Sequence, residues 1–374
     1  MEPFKNAISS ALVNLIAFHL GRQLPAFDRA SFVAPLLERL PALELKQRVR
    51  LVADALHEAL PSGVGSRHRI MAAMLHPDDE TRANWESTED GLCGWGVWPL
   101  THVVGEHGLA DFDASLHLLR EMTKRFTAEF DVRPFLVQDQ QRAIGLMATW
   151  VDDPNEHVRR LVSEGTRPRL PWGLRLNALI QDPRPVLPLL QALRDDPSDY
   201  VRRSVANHLN DIAKDHPDLV AALAHDWMED ASQERIKLIR HACRTLIKQG
   251  DASTLAAFGL KPPDIRRPDL QIIQPDVTFG EGVDFEVVLQ STSQGEQRLM
   301  LDYVVQFKKA NGSLAPKVFK WITITLQPNE RRMLRRHHAI RPITTRRYYP
   351  GGHGLSLRIN GHDFEQAGFN LVMP

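Results

Sequence analysis

The chain has 374 residues, 43% of them hydrophobic and 25% charged, and its basic and acidic residues balance to a formal net charge of zero. That length accommodates two or three domains with proper cores, and the balance leaves any anionic partner to local basic patches rather than to a whole-molecule field. Two cysteines cannot build a disulfide framework, and no apolar run approaches the ~20 residues of a membrane span, so a cytoplasmic protein with no membrane partner is expected.

The opening "MEPFKNAISSALVNLIAFHLG" has no basic leader and no small-residue cleavage site. Ile8, Leu12, Ile16 and Leu20 recur every four positions, as on an amphipathic helix. Residues 1–258 continue as helices between short turns marked by Pro, Gly and Asp. "GLKPPDIRRPD" (259–269) is proline-rich and unpatterned, and reads as a linker. Beyond it the period changes. "VDFEVVLQS", "MLDYVVQFK" and "VFKWITITL" are β-rich runs, and the last twenty residues read as two strands around an Asn-Gly turn. Residues 270–374 are therefore expected to form an immunoglobulin-like β-sandwich, here without a disulfide.

The helical part repeats. "DDPNEHVRRLV" begins at Asp152 and "DDPSDYVRRSV" at Asp195, 43 residues later, with a weaker echo from Glu229. That period fits HEAT units, paired helices stacked into a solenoid. In the first copy the pattern predicts Asp153 as N-cap, Pro154 as the first helical residue and Glu156 closing a capping box. Gly165 fits the end of that helix. Glu156 thus has a plain structural reading, and a second one as a carboxylate set among Arg159, Arg160, Arg167 and Arg169. Arg159 and Arg202 occupy the position of a structural arginine in HEAT arrays.

The second copy places Val201, Val205, Leu209 and Ile212 on one helical face and Arg203, Asn207, Asn210 and Lys214 on the other. A solvated surface is the ordinary reading of a polar stripe. This row contains no acid, however, and Arg, Asn and Lys in line suit phosphate and sugar contacts. A second basic run extends from Arg331 to Gly361 without one acid and includes Arg346, Arg347 and Tyr348 in "RRYYPGGHG". It reads either as a charged strand edge that discourages aggregation or as an element that grips a nucleic-acid backbone. No HExxH, Walker loop, G-x-S-x-G elbow or full dinucleotide fingerprint occurs, so no metal, nucleotide or flavin cofactor is expected.

Four stretches carry a family resemblance: "GWGVWPL" (94–100), "MTKRFTAEFDVRPFL" (122–136), "DPNEHVRRLVSEGTRPRLPW" (153–172) and "DDPSDYVRRSVANHLNDIAKDHPDLV" (195–220). They resemble the AlkC branch of the AlkC/AlkD alkylpurine DNA glycosylases, which can carry an immunoglobulin-like C-terminal domain. The resemblance implies a bacterial, monomeric, monofunctional base-excision repair enzyme. Its partner would be duplex DNA containing alkylated bases, and it would release cationic N-alkylated bases, chiefly 3-methyladenine, without flipping them into a deep pocket. It assigns the catalytic carboxylates to Glu121 and Glu156. The DNA contacts would then come from Arg160, Arg167, Arg169, Trp172, Arg203, Asn207, Asn210 and Lys214, together with Arg346, Arg347 and Tyr348. Glu121 also has a plain reading, as an i,i+4 ion pair with Arg125. The competing function is a HEAT scaffold that binds nucleic acid or protein without chemistry.

Overall fold

The computed structural model describes residues 3–77 and 86–373. Among these, sixteen α-helices precede eight β-strands. The first four helices are α1 (Ser10–Gln23), α2 (Arg29–Arg39), α3 (Leu45–Ala59) and α4 (Val64–Ala73). Next come α5 (Trp98–His107), α6 (Phe112–Thr123), α7 (Arg133–Gln138), α8 (Gln140–Ala148) and α9 (Glu156–Gly165). α10 (Asn177–Gln181), α11 (Leu187–Leu193), α12 (Asp199–Ile212) and α13 (Pro217–Met228) follow. α14 (Gln233–Ala242), α15 (Arg244–Gln249) and α16 (Ala252–Ala257) end the helical part.

The chain divides into two compact units, Met1–Asp215 with Gln233–Ala242, and His216–Ser232 with Cys243–Pro374. In the first, α6, α9, α12 and α14 are successive neighbours. The apolar faces expected from the repeat cause this stacking: Val158, Leu161 and Val162 of α9 and Val201, Val205, Leu209 and Ile212 of α12 are all buried.

The second unit contains the helices α13, α15 and α16 and all eight strands. β1 (Asp269–Ile272), β3 (Gly282–Gln290) and β6 (Arg331–Ala339) form one antiparallel sheet in the order β1-β3-β6. The other sheet runs β2-β8-β7-β4-β5, from β2 (Asp276–Thr278), β4 (Gln297–Lys308), β5 (Leu314–Leu326), β7 (Gly351–Ile359) and β8 (His362–Val372). Strand β3 shows the alternation that makes a sandwich: Val283, Phe285, Val287 and Leu289 are buried, and the residues between them are not. Asn360 and Gly361 join β7 to β8 with φ of 45° and 83°. A two-residue turn with both residues left-handed is what an Asn-Gly pair supports. A Cβ at Gly250 would come within 2.6 Å of the Gly361 Cα, so the end of α15 meets this turn only because both residues are glycine. The Gly-Gly-His stretch after Pro350 opens strand β7, with His353 buried and stacked on Phe369.

Candidate active site

The start of α9 differs from the expected cap. Asn155, not Asp153, is the N-cap: its side chain accepts from the His157 amide at 2.9 Å, and Glu156 becomes the first helical residue. Asp153 is engaged elsewhere. One of its carboxylate oxygens accepts from the Asn155 amide at 2.9 Å, and the other binds the Arg120 guanidinium of α6, with Nε at 2.9 Å. The second copy of the motif behaves alike. Asp196 accepts from the Ser198 amide at 2.8 Å and forms a two-pronged pair with Arg159 of α9 at 2.6 and 2.9 Å. Arg159 and Arg202 also donate to main-chain oxygens of the loop before their own helices. These aspartates and arginines make a ladder that fixes each helix start to the preceding helix. The structural role expected for Arg159 and Arg202 follows from it.

Two acids hang from this ladder, Glu121 half-buried and Glu156 exposed. Glu121, on α6, accepts from Arg120 Nη1 at 3.2 Å and from Lys124 Nζ at 2.9 Å. The i,i+4 reading fails in detail, because Arg125 donates to the main-chain oxygen of Glu121 at 3.1 Å and to that of His76 at 2.7 Å. Glu156 is exposed at the N-terminus of α9, where a negative charge is favoured by the helix dipole. Its Oε2 accepts from the hydroxyl of Ser198, the N-cap residue of α12. Its other oxygen has no hydrogen-bond partner among the described residues. The two acids lie on neighbouring helices, each tethered by residues of the ladder.

Below this surface lies a charged network that sequence reading missed. Glu164 is buried and accepts from Arg167 at 2.6 Å and from the Ser204 hydroxyl at 2.5 Å. Arg167, itself buried, also binds Asp211 at 2.8 Å. Arg160 reaches Glu129 at 2.8 Å and Glu164 at 3.5 Å, and its guanidinium lies 4.9 Å over the Tyr200 ring. Burial works against the charge on Arg160, yet Glu129, Tyr200 and Glu164 together hold it above the usual guanidinium range. Arg167 behaves likewise under Glu164 and Asp211. His208, fully enclosed beside Arg167 and Arg133, is pushed down to about 3 by burial and stays neutral, with its Nδ1 2.9 Å from the Ser163 carbonyl. The sequence signal for this network was Glu164 at the end of α9, three residues before Arg167.

The expected polar stripe on α12 divides. Arg203 and Lys214 are exposed, but each is matched by an acid one turn earlier, Asp199 at 2.6 Å and Asp211 at 2.8 Å. Asn207 is half-buried and receives His241 of α14 at 2.9 Å. Asn210 is buried and so offers no surface to a duplex, as is true of Arg167. Arg169 is partly exposed and pairs with Asp215 at 2.8 Å. Trp172 is 68% exposed at φ 65°, so it is not part of the core between the repeats. A bulky residue in that conformation is strained, and such strain clusters at functional sites. In the β unit, Tyr348 is a core residue, its ring 5.6 Å from Phe279 and 5.7 Å from Phe307, rather than a contact residue. Arg347 is exposed, and Arg346 lies 3.7 Å over Phe307. Arg346 shares with Arg244, Lys248, Lys317, Lys320 and Arg358 the wall of a cavity of about 990 Å³ that no acidic residue lines. Among the described residues no cluster of metal-ligating side chains occurs, and no helix is long and apolar enough to cross a membrane.

Residues 118–246 match the family described as DNA alkylation repair enzyme, and residues 266–373 match the C-terminal Ig-like domain of protein YhaZ. The chain is 37% identical over 373 residues to YhaZ of Bacillus subtilis, covering 99% of this chain and all of that protein. It superimposes on the alkylpurine DNA glycosylase AlkC of Pseudomonas fluorescens, bound to DNA containing an abasic-site analogue, with a TM-score of 0.83 and 34% identity. That match covers 99% of this chain and all of the other. This chain belongs to the AlkC-type DNA alkylation repair family. The AlkC architecture accounts for both halves of the molecule, the helical repeats and the Ig-like sandwich, and it carries the fold of an alkylpurine DNA glycosylase.

Proposed function

We propose that this AlkC-type protein is a monofunctional DNA glycosylase. It hydrolyses the N-glycosidic bond of cationic N-alkylated bases, chiefly 3-methyladenine, in duplex DNA. The observation that carries the reading is a pair of solvent-accessible carboxylates, the half-buried Glu121 and the exposed Glu156, on adjacent helices of a fold shared end to end with AlkC.

The chemistry asks little of the protein beyond these acids. A methyl group at N3 leaves the adenine positively charged, so no general acid is needed to release it. A carboxylate near C1′ stabilises the oxocarbenium-like sugar by opposite charge and orients a water molecule against it. Water adds at C1′ as the C1′–N bond breaks. The bonding electron pair leaves with the base, which departs neutral, and the proton of the water passes to the carboxylate and then to solvent. Because the acids act on the sugar, the base need not swing into a pocket. Arg203, Lys214 and Trp172, all exposed, and the partly exposed Arg169 would position the duplex, with Arg160 and Arg167 supporting the acids from below. Arg347 and the Arg346 wall would add contacts from the β domain.

The purified chain is expected to release free 3-methyladenine from methylated duplex DNA and leave an abasic site with the strand intact. Binding to the same duplex without base release would establish the scaffold reading instead.

A further inference from the structure

We infer that Ser198 is a positioning residue for the glycosidic step, holding one oxygen of Glu156 so that the other faces the reacting sugar. The inference rests on the catalytic role proposed for Glu156 and adds a residue outside the helix that carries it. A serine at an N-cap ordinarily turns its hydroxyl back to an amide of its own helix, which stabilises the helix. Ser198 occupies the N-cap of α12 and makes no such bond. Its hydroxyl instead donates across to Glu156 Oε2, forty-two residues earlier in the chain. A capping residue thus diverted leaves its own helix less satisfied, and a purely structural hydroxyl would have no reason to point away.

The donor is also held rigidly. The Ser198 amide donates to Asp196 at 2.8 Å, and Asp196 is fixed by both prongs of Arg159, which springs from the same helix as Glu156. Glu156, Arg159, Asp196 and Ser198 therefore close a ring between α9 and α12. The carboxylate is restrained at Oε2, while the opposite oxygen keeps no hydrogen-bond partner among the described residues. A single restrained oxygen limits the carboxylate to few rotamers and directs its free oxygen outward, which is the preorganisation that electrostatic stabilisation of a transition state requires.

The test compares Ser198→Ala and Ser198→Thr in the full-length protein by three readouts. They are single-turnover release of 3-methyladenine, affinity for duplex DNA carrying an abasic-site analogue, and melting temperature. Ser198→Ala is expected to slow release about tenfold or more, the scale of a lost hydrogen bond to a charged group. Affinity and melting temperature are expected to be unchanged, because the hydroxyl caps nothing, and Ser198→Thr is expected to restore the rate. A Ser198→Ala protein with full release, or one whose loss of rate is matched by lower melting and not rescued by threonine, would overturn the inference. Absence of release by the unsubstituted protein would instead defeat the glycosylase reading, and full release by Glu156→Gln would defeat the role of Glu156. The failures are therefore distinguishable.

Discussion

The two copies of the repeat begin with nearly the same words, Asp-Asp-Pro-Asn-Glu and Asp-Asp-Pro-Ser-Asp, and their acids have different fates. Asp199, first residue of α12, folds back onto Arg203 of its own helix and also lies 3.6 Å from Arg202. Glu156, first residue of α9, is one methylene longer and reaches across to the next repeat, where Ser198 receives it. In both copies the second aspartate of the motif is buried and bound to an arginine of the preceding helix. The repeat thus has a constant part that builds the stack and a variable acid at each helix start. Under the proposed glycosylase reading, that acid acts on the substrate where a neighbour holds it in place and serves only local charge balance where its own helix does.

The comparison can be broken in several ways. The largest effect is expected from removing both candidate carboxylates. Glu121→Gln and Glu156→Gln should each reduce base release by ~10²–10⁴-fold, the range of a general base. The double variant should be less than additively worse if the two act as a unit, which single-turnover rates on the four proteins would reveal. Additive losses would mean two independent groups.

The constant part should behave in the opposite way. Asp196→Ala leaves Arg159 without its buried partner and should lower stability by about 3 kcal/mol, seen as a fall in denaturation midpoint. Asp199→Ala removes only a surface pair and should change stability by no more than ~0.5 kcal/mol.

His208 sharpens the same contrast through pH. Its folded value is depressed by burial to about 3, whereas the unfolded chain takes up the proton near 6.5. The unfolded state therefore binds more protons between these values, and stability falls as pH drops from about 6.5 towards 3. The slope from this group approaches ~1.4 kcal/mol per pH unit. A His208→Gln protein should lose this part of the pH dependence, measurable by chemical denaturation at pH 7 and pH 5. The smallest effect is expected at Arg203, already paired with Asp199. Arg203→Ala should weaken binding to damaged and undamaged duplexes by similar small factors, with a salt dependence reduced by about one counterion.

Much of this architecture was legible in the sequence because it rests on local rules. The 43-residue repeat, the change of period after the proline-rich linker and the Asn-Gly turn each depend on a few neighbouring residues. The site was legible only in part. Proline after Asp153 pointed to a cap there, but that carboxylate is taken by Arg120, thirty-three residues earlier, and Asn155 caps instead. The four residues read as the stripe include no acid, yet Asp199 and Asp211, each one turn before a cation of that face, neutralise its two cations. The acid-free run after Arg331 meets Glu286 and Asp284 on the antiparallel strand, which pair with Arg335 and His337 at 3.0 Å. Charge read along one segment overstates what remains free, because stacking and strand pairing bring the opposite charge from elsewhere. Tyr348 misled for a related reason: its phenol ring completes the sandwich core.

The most direct measurement of the central claim sets the two repeat acids side by side. Glu156→Gln and Asp199→Asn remove the same charge from the same position of successive helices. Both proteins would be assayed for single-turnover release of 3-methyladenine from duplex DNA and for melting temperature. The account predicts that Glu156→Gln melts normally and loses release by at least ~10²-fold, while Asp199→Asn melts and releases the base as the unsubstituted protein does. Equal activity of the two variants, or a loss in Glu156→Gln that follows its melting temperature, would contradict it.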